Sequence, residues 1–208
     1  MTESNATVLL KTHMVPVCDR DSKRYSLGGV LITETGRAVA CDGRVLAITK
    51  VDVEGTIGQK PNEDGDYGRV GWNIVPAAII KKPTANKPTK LILNGKVECP
   101  ANEKIGNYVE GRYPRAGQVL MELRPDSFAV TIDAALLKNL ADALLPVDSD
   151  KKGITLFFDP KDVDAPIAVL GEGENVGIIM PLSSLEDADK SYTSARSAVL
   201  ADLPADLR

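Results

Sequence analysis

The sequence predicts an α+β protein in which helices gather on one face of antiparallel sheets. Many short runs rich in Val, Ile and Leu are separated by tight-turn signals such as Asp42-Gly43 and Asn94-Gly95, a pattern typical of antiparallel strands. A longer amphipathic pattern begins after Asp133, a good N-cap residue, and repeats leucines at helical spacing up to Leu145. Together these observations favour several short strands with few helices.

The remaining elements follow in chain order. Residues 7–17 are apolar and β-branched, and their periodicity does not decide between a strand and a short helix. Strands are predicted over residues 27–33, 37–40, 45–51, 72–75, 90–93, 96–99, 105–110, 128–132, 154–158, 166–170 and 176–181. Loops are predicted over 19–24, 54–69 and 81–89, helices over 76–82 and 133–145, and a loosely held tail over 185–208. The order strand, short helix, antiparallel strands recurs near 6–52, 70–120 and 125–182, which indicates stacking of one supersecondary unit.

Composition and charge limit the classes of protein to which the chain can belong. The 208 residues are 43% hydrophobic, with no long apolar run and no signal-peptide pattern, so a soluble protein in the cytoplasm is expected. The formal charge is −4, yet residues 69–124 hold 10 Lys/Arg against 4 Asp/Glu. A basic middle in an acidic chain can present a positive surface to a polyanion, the alternative being chance segregation of solvated charge.

Sequence signatures of catalysis are few. No HExxH, GxSxG, P-loop or strand-to-helix GxGxxG pattern occurs. His13 is the one imidazole, and three cysteines with a single histidine argue against a zinc site or a disulfide framework. We therefore expect a non-enzymatic protein without cofactor or metal, and an enzyme that uses Cys41 or His13 is the weaker alternative.

Four segments resemble one known family. Residues 24–50 (RYSLGGVLITETGRAVACDGRVLAITK) resemble the middle domain of the bacterial DNA polymerase sliding clamp, the β-clamp family. Residues 110–120 (EGRYPRAGQVL) resemble a later segment of that family, residues 133–144 (DAALLKNLADAL) the helix of its last domain, and residues 178–182 (IIMPL) its final strand. The four segments occur in the family's order, which makes the resemblance more specific than any single match.

The resemblance implies a DNA-clamp-like fold of repeated units, with helices lining a basic channel. It implies a clamp-like domain over 1–122, a partial one over 123–184 and the tail over 185–208. A whole clamp subunit has three domains of two units, whereas this chain holds about three units. Four chains can therefore supply a closed ring, and a reduced form that does not encircle DNA is equally allowed, so homo-oligomerisation stays open.

Two sites carry over from the resemblance. Basic and aromatic residues expected to contact DNA phosphates without reading sequence are Lys23, Arg24, Tyr25, Lys81, Lys82, Lys87 and Lys90. A pocket expected to hold short hydrophobic peptides of replication or repair proteins comprises Leu27, Cys41, Gly43, Arg44, Leu46, Pro114, Val119, Ile178, Met180, Pro181 and Leu182. Ordinary solvation of the lysines and ordinary core packing of the apolar residues are the alternatives.

The resemblance thus predicts a sliding-clamp-like processivity factor in DNA replication, without a membrane partner. The alternative is a clamp-fold interaction module or decoy that binds replication partners without DNA, and salt-dependent DNA binding separates the two. Residues 200–207 (LADLPADL) also resemble a clamp-binding peptide, which can dock in cis or in trans.

Overall fold

The computed structural model describes residues 5–19, 25–58, 73–109, 111, 113–120, 130–145, 153–162, 164–173, 175–182, 188–204 and 207–208. Among these residues lie two α-helices and three antiparallel sheets, so the α+β prediction is confirmed. The chain divides into two compact units. The first unit comprises Met1–Met121 with Arg196–Arg208, and the second unit is Glu122–Ala195.

The described residues of the first unit form nine strands in two sheets. The strands are β1 (Asn5–Leu10), β2 (Gly29–Ile32), β3 (Arg37–Cys41), β4 (Leu46–Lys50), β5 (Asp52–Thr56), β6 (Ile74–Pro76), β7 (Thr89–Leu93), β8 (Val97–Cys99) and β9 (Lys104–Gly106). One sheet has the order β4-β3-β2-β6 and the other the order β5-β1-β7-β8-β9.

The two sheets exchange strands. The meander β2-β3-β4 is extended by β6, which precedes the second meander in the chain, and Val30 lies opposite Val75 at this junction. The meander β7-β8-β9 is extended by β1, which precedes the first meander, and Val8 lies opposite Leu91. The first unit therefore has two halves, one with β1 to β5 and one with β6 to β9, and each half completes the sheet of the other.

The centre of the sheet β4-β3-β2-β6, formed by β2 and β3, is buried on both faces. Side chains alternate between the faces of a strand, so Val30 and Ile32 enter the main core with Val8 and Leu91. Leu31 points the other way, into a second and smaller apolar cluster. All four residues of β2 are consequently buried.

The second unit packs helix α1 (Ala134–Leu144) on a three-stranded sheet. Its strands are β10 (Thr155–Phe157), β11 (Ile167–Leu170) and β12 (Val176–Ile179), in that order. Asp133 Oδ1 accepts the backbone N–H groups of Ala135 at 2.8 Å and Leu136 at 3.0 Å, so the predicted N-cap is confirmed. Gly177 lets α1 approach, because a Cβ there would lie 2.7 Å from Leu140 Cδ1.

The helix predicted over 76–82 is wrong. Pro76 ends β6, and two consecutive turns follow, with the N–H of Ile79 bonded to the Pro76 carbonyl and that of Ile80 to the Ala77 carbonyl. Pro83 has no N–H to continue a helix and disfavours helical geometry in the residue before it. The buried Ile79 and Ile80 instead pack into the main core.

The tail predicted over 185–208 is not loosely held where the structure describes it. Helix α2 spans Ala188–Asp202, and Leu203 and Leu207 are buried beyond its end. These leucines find an apolar surface on a sheet far away in sequence, which no local pattern could reveal. Residues 183–187 and 205–206 lie outside the described residues.

Other boundaries differ by a few residues. The predicted loop over 54–69 overlaps β5, and its residues 59–69 lie outside the described residues, as do most of the loop over 19–24 and Trp72. From the strand predicted over 128–132, Thr131 forms one antiparallel bridge with Leu182. Within the described part of the chain, neither helix has the length and apolar character needed to cross a bilayer.

Candidate functional site

The hairpin between β3 and β4 carries four of the eleven residues predicted for the pocket. Cys41 ends β3, Leu46 begins β4, and the two lie opposite each other in the ladder. Gly43 turns the chain between them at φ +88°, a conformation that favours glycine. Asp42 Oδ1 accepts the N–H groups of Arg44 at 2.8 Å and Val45 at 2.6 Å, bonds that lower the pKa of this carboxyl group. The turn is therefore held in one conformation, with Arg44 exposed at its tip.

Three other predicted pocket residues of the first unit lie elsewhere. Leu27 is buried in the 3-10 helix Tyr25–Gly28, and its carbonyl accepts the N–H of Asp19 at 2.9 Å. Pro114 is half-buried before the 3-10 helix Ala116–Val119, which includes the backbone of Val119. For Leu27, ordinary core packing describes the environment.

The second cluster forms a continuous apolar surface on the sheet β4-β3-β2-β6. We call this surface the apolar face and define it by five buried residues: Leu31, Val39, Ile74, Tyr113 and Ala116. Cys41 and Leu46, both half-buried, pack against its margin. The structure thus brings two predicted pocket residues to one apolar surface.

The Tyr113 side chain, which is part of the apolar face, is held in place by backbone carbonyl groups of the sheet. Its hydroxyl donates to the Val39 carbonyl at 3.0 Å, and the Gly29 carbonyl lies 3.4 Å away. Burial, with a smaller contribution from nearby Cys18 and Cys41, raises the pKa of this phenol. Tyr113 therefore stays neutral and acts as a hydrogen-bond donor.

In the second unit, three of the four predicted pocket residues, Ile178, Met180 and Leu182, lie along one face of β12 and of the residues just beyond it. Every second side chain there is a large exposed apolar group, with exposed fractions of 72% for Val176, 68% for Ile178, 58% for Met180 and 47% for Leu182. We call these four residues the β12 stripe. Gly177 and Ile179 face the opposite way, toward α1, and Pro181 is half-buried. Core packing does not account for the β12 stripe.

Of the lysines predicted to contact DNA in the basic middle of the chain, three lie between β6 and β7 and Lys90 lies in β7. Lys81, Lys82, Lys87 and Lys90 are all exposed, and Lys81 Nζ donates to the Ala101 carbonyl at 2.8 Å. Within the described ranges, no carboxylate forms an ion pair with Lys82, Lys87 or Lys90. Lys23 and Arg24 lie outside the described residues, and so does the side chain of Tyr25.

One basic residue of this surface escaped the sequence reasoning. Lys104, in β9, donates from Nζ to the Ala78 carbonyl at 2.7 Å and so lies beside the turn that leads to Lys81. The excess of basic residues over 69–124 was a signal for it, since Lys104 falls within that range.

Cys41 and His13 are the two residues on which the enzymatic alternative depends. Cys41 Sγ accepts the N–H of Gly43 at 3.2 Å, and His13 is exposed. No set of three or more His, Cys, Asp or Glu side chains suited to a metal ion occurs in the described part of the chain.

The sequence reasoning also missed residues that pack against the apolar face from a distance. Leu203 and Leu207 belong to the same buried cluster as Tyr113. The leucine spacing of residues 200–207 was the only available signal.

Neither a protein-family model nor a curated protein sequence matches the chain.

Proposed function

We propose that the chain is a non-catalytic, sliding-clamp-like protein that holds short hydrophobic peptides of replication or repair proteins and that contacts or encircles duplex DNA nonspecifically. The β12 stripe is the observation that carries the peptide-binding part. Large apolar side chains exposed in a row mark interaction surfaces, because leaving them in water forfeits the free energy of burial. A linear peptide suits this surface, since four alternate residues of an extended chain span about 20 Å.

The strand exchange in the first unit supports the clamp-like part of the proposal. The resemblance implies domains built from two equivalent units, and each meander of the first unit is extended by strands from the other half, β6 in one sheet and β1 followed by β5 in the other. Met180 adds adaptability to the β12 stripe, because its unbranched side chain can pack against partner peptides of different shape.

Replacing Ile178 with serine should weaken peptide binding at least tenfold, because an apolar contact with the ligand is lost. The fold of the protein should be unaffected, since Ile178 is 68% exposed. The measurement is fluorescence anisotropy with a labelled clamp-binding peptide from a bacterial replicative polymerase. Ile105→Ser is the matched control, since Ile105 is 66% exposed in the first unit. Equal loss in both variants, or no binding by the full chain, would contradict the peptide-binding proposal.

The exposed lysines favour DNA contact over the alternative of a decoy that binds partners alone. Replacing Lys82, Lys87 and Lys90 together with alanine should flatten the plot of log Kobs for duplex DNA against log salt concentration. Each lost phosphate contact reduces the slope by about 0.9, so the triple variant should lose up to about 2.7.

The control for that experiment replaces exposed Lys50, Lys161 and Lys190 with alanine, which removes the same charge from other surfaces. An unchanged slope in the control and a reduced slope in the test variant support DNA contact through this surface. Absence of salt-dependent binding by the full chain would leave the decoy alternative.

A further inference from the structure

The apolar face is covered by a segment that comes from the far end of the chain. We define the 199–208 segment as the last turn of α2 and the residues that follow it. Val199, Leu203 and Leu207 recur every four residues and pack on the apolar face. Leu203 is 1% exposed and Leu207 is 5% exposed. Two leucines are thus fully inserted into a surface built by residues 31–116.

Polar contacts fasten this segment along its length. The N–H of Gly117 donates to the Leu207 carbonyl at 2.7 Å. Arg37 Nε donates to Asp202 Oδ2 at 2.9 Å, and the Thr35 hydroxyl donates to the Asp202 carbonyl. The Arg37 side chain is largely buried, so its pair with Asp202 has less competition from water than an exposed ion pair.

Gly117 is shaped for the passage of another backbone. A Cβ at this position would lie 2.7 Å from Arg208 Cα, 3.0 Å from Arg208 C and 3.1 Å from Leu200 Cδ2. All three nearest atoms belong to the 199–208 segment. The missing side chain and the donated N–H together form a main-chain recognition point.

The rest of the first unit has a core that does not include this segment. Val30, Ile32, Leu91 and their neighbours fill the other face of the sheet, and among the residues that the structure describes the main core contains none beyond 108. In sequence, the whole second unit separates the 199–208 segment from the apolar face. The arrangement is that of a receptor surface and a tethered peptide.

We propose that the 199–208 segment is a displaceable intramolecular ligand, and that the apolar face accepts from a partner a peptide with the same chemistry. Such a peptide has an acidic residue that pairs with Arg37. Two leucines four positions apart follow it and pack on the apolar face. The inference rests on the proposed function, because it takes its partner peptides from that proposal and adds to the β12 stripe a second peptide-binding surface, the apolar face, at which this segment is their competitor.

The test uses a labelled peptide of residues 196–208 added to the full chain and to an opened full chain that carries Leu203→Ser and Leu207→Ser. The apparent Kd rises by the reciprocal of the fraction of protein whose site is open. The opened chain should therefore bind the peptide at least tenfold more tightly than the unaltered chain. A peptide with both leucines replaced by serine should bind neither.

Two further variants locate the binding. Adding Gly117→Ala to the opened chain should weaken peptide binding at least tenfold, because the new Cβ meets the peptide backbone. Adding Gly153→Ala should change nothing, since no atom lies within 4 Å of a Cβ there and the residue belongs to the second unit. Equal binding in all of these chains would overturn the proposal.

A second measurement stays decisive if the opened chain does not fold. In the otherwise unaltered chain, Gly117→Ala should speed amide hydrogen exchange in the 199–208 segment and leave β2 and β7 protected. Faster exchange throughout the first unit would make the segment an integral part of its core and overturn the proposal. A dimer that Leu203→Ser and Leu207→Ser convert to a monomer would identify a second copy as the source of the segment and overturn the intramolecular ligand.

The results separate this inference from the proposed function. If the opened chain binds the 196–208 peptide but no polymerase peptide, the inference stands and the proposed function fails. If polymerase peptides bind the opened and unaltered chains equally, the proposed function stands and the inference fails.

Discussion

Replacing Gly29 with alanine is expected to lower the free energy of unfolding of the first unit by about 3 kcal/mol, the upper end for overpacking of a core. A Cβ at Gly29 would lie 2.6 Å from Ile74 Cγ2 and 2.7 Å from the Val75 carbonyl oxygen. The carbonyl belongs to β6, so relief requires β6 to move away from β2. Urea denaturation followed by circular dichroism measures the loss.

Two comparisons sharpen this prediction. Gly153→Ala, which meets open space, should change stability by less than about 0.5 kcal/mol. Ile74→Ala removes the side-chain contact but leaves the Val75 carbonyl in place, so the double variant should not recover the stability of the unaltered protein. A Gly29→Ala protein as stable as the Gly153→Ala protein would contradict the close approach of β2 and β6.

Truncating Leu91 to alanine is expected to cost about 3 kcal/mol, within the range for a buried leucine whose cavity only partly collapses. Leu91 is fully buried in β7 and lies opposite Val8 of β1, where the first strand of one half joins the meander of the other half. The same urea titration measures the change. Ile105→Ala is the control, because the exposed Ile105 leaves no cavity, and a similar loss in both variants would contradict the burial of Leu91.

Elements with local signals were predicted well from the sequence. Asp133 and the leucine spacing predicted α1, because an N-cap and a helical stripe are both encoded within a dozen residues. The glycines of Asp42-Gly43 and Asn94-Gly95 adopt φ values of +88° and +82°, as turn glycines do. These signals act within a few residues, so neighbours distant in sequence do not alter them.

Elements that depend on distant partners were predicted less well. Residues 76–82 look like a short helix with Pro76 at its start, yet Ile79 and Ile80 pack into a core built by other strands. Residues 188–204 look polar and loosely held, yet the apolar face supplies partners for Leu203. The many polar residues of such a segment outweigh its few leucines in a sequence-based prediction. One or two buried leucines nevertheless suffice to hold the segment when a matching apolar surface exists.

The candidate sites also contain some residues that the sequence indicated and others that it did not. The apolar strand β12 was predicted from the sequence, but whether Ile178 and Met180 lie in a core or on a surface depends on which face α1 covers. Gly117 carried no signal at all, because its role comes from the passage of Arg208. Clamp-like function stays a proposal that the peptide and DNA measurements test.

By itself, the sequence determined the α+β class, the turns, the capped helix α1 and the basic middle of the chain, since each depends on residues close together. Only the tertiary structure decided the strand exchange, the exposure of the β12 stripe and the docking of the 199–208 segment on the apolar face. Those features arise from contacts between residues tens to more than a hundred positions apart. The burial and backbone approach that define them exist only once the chain has folded.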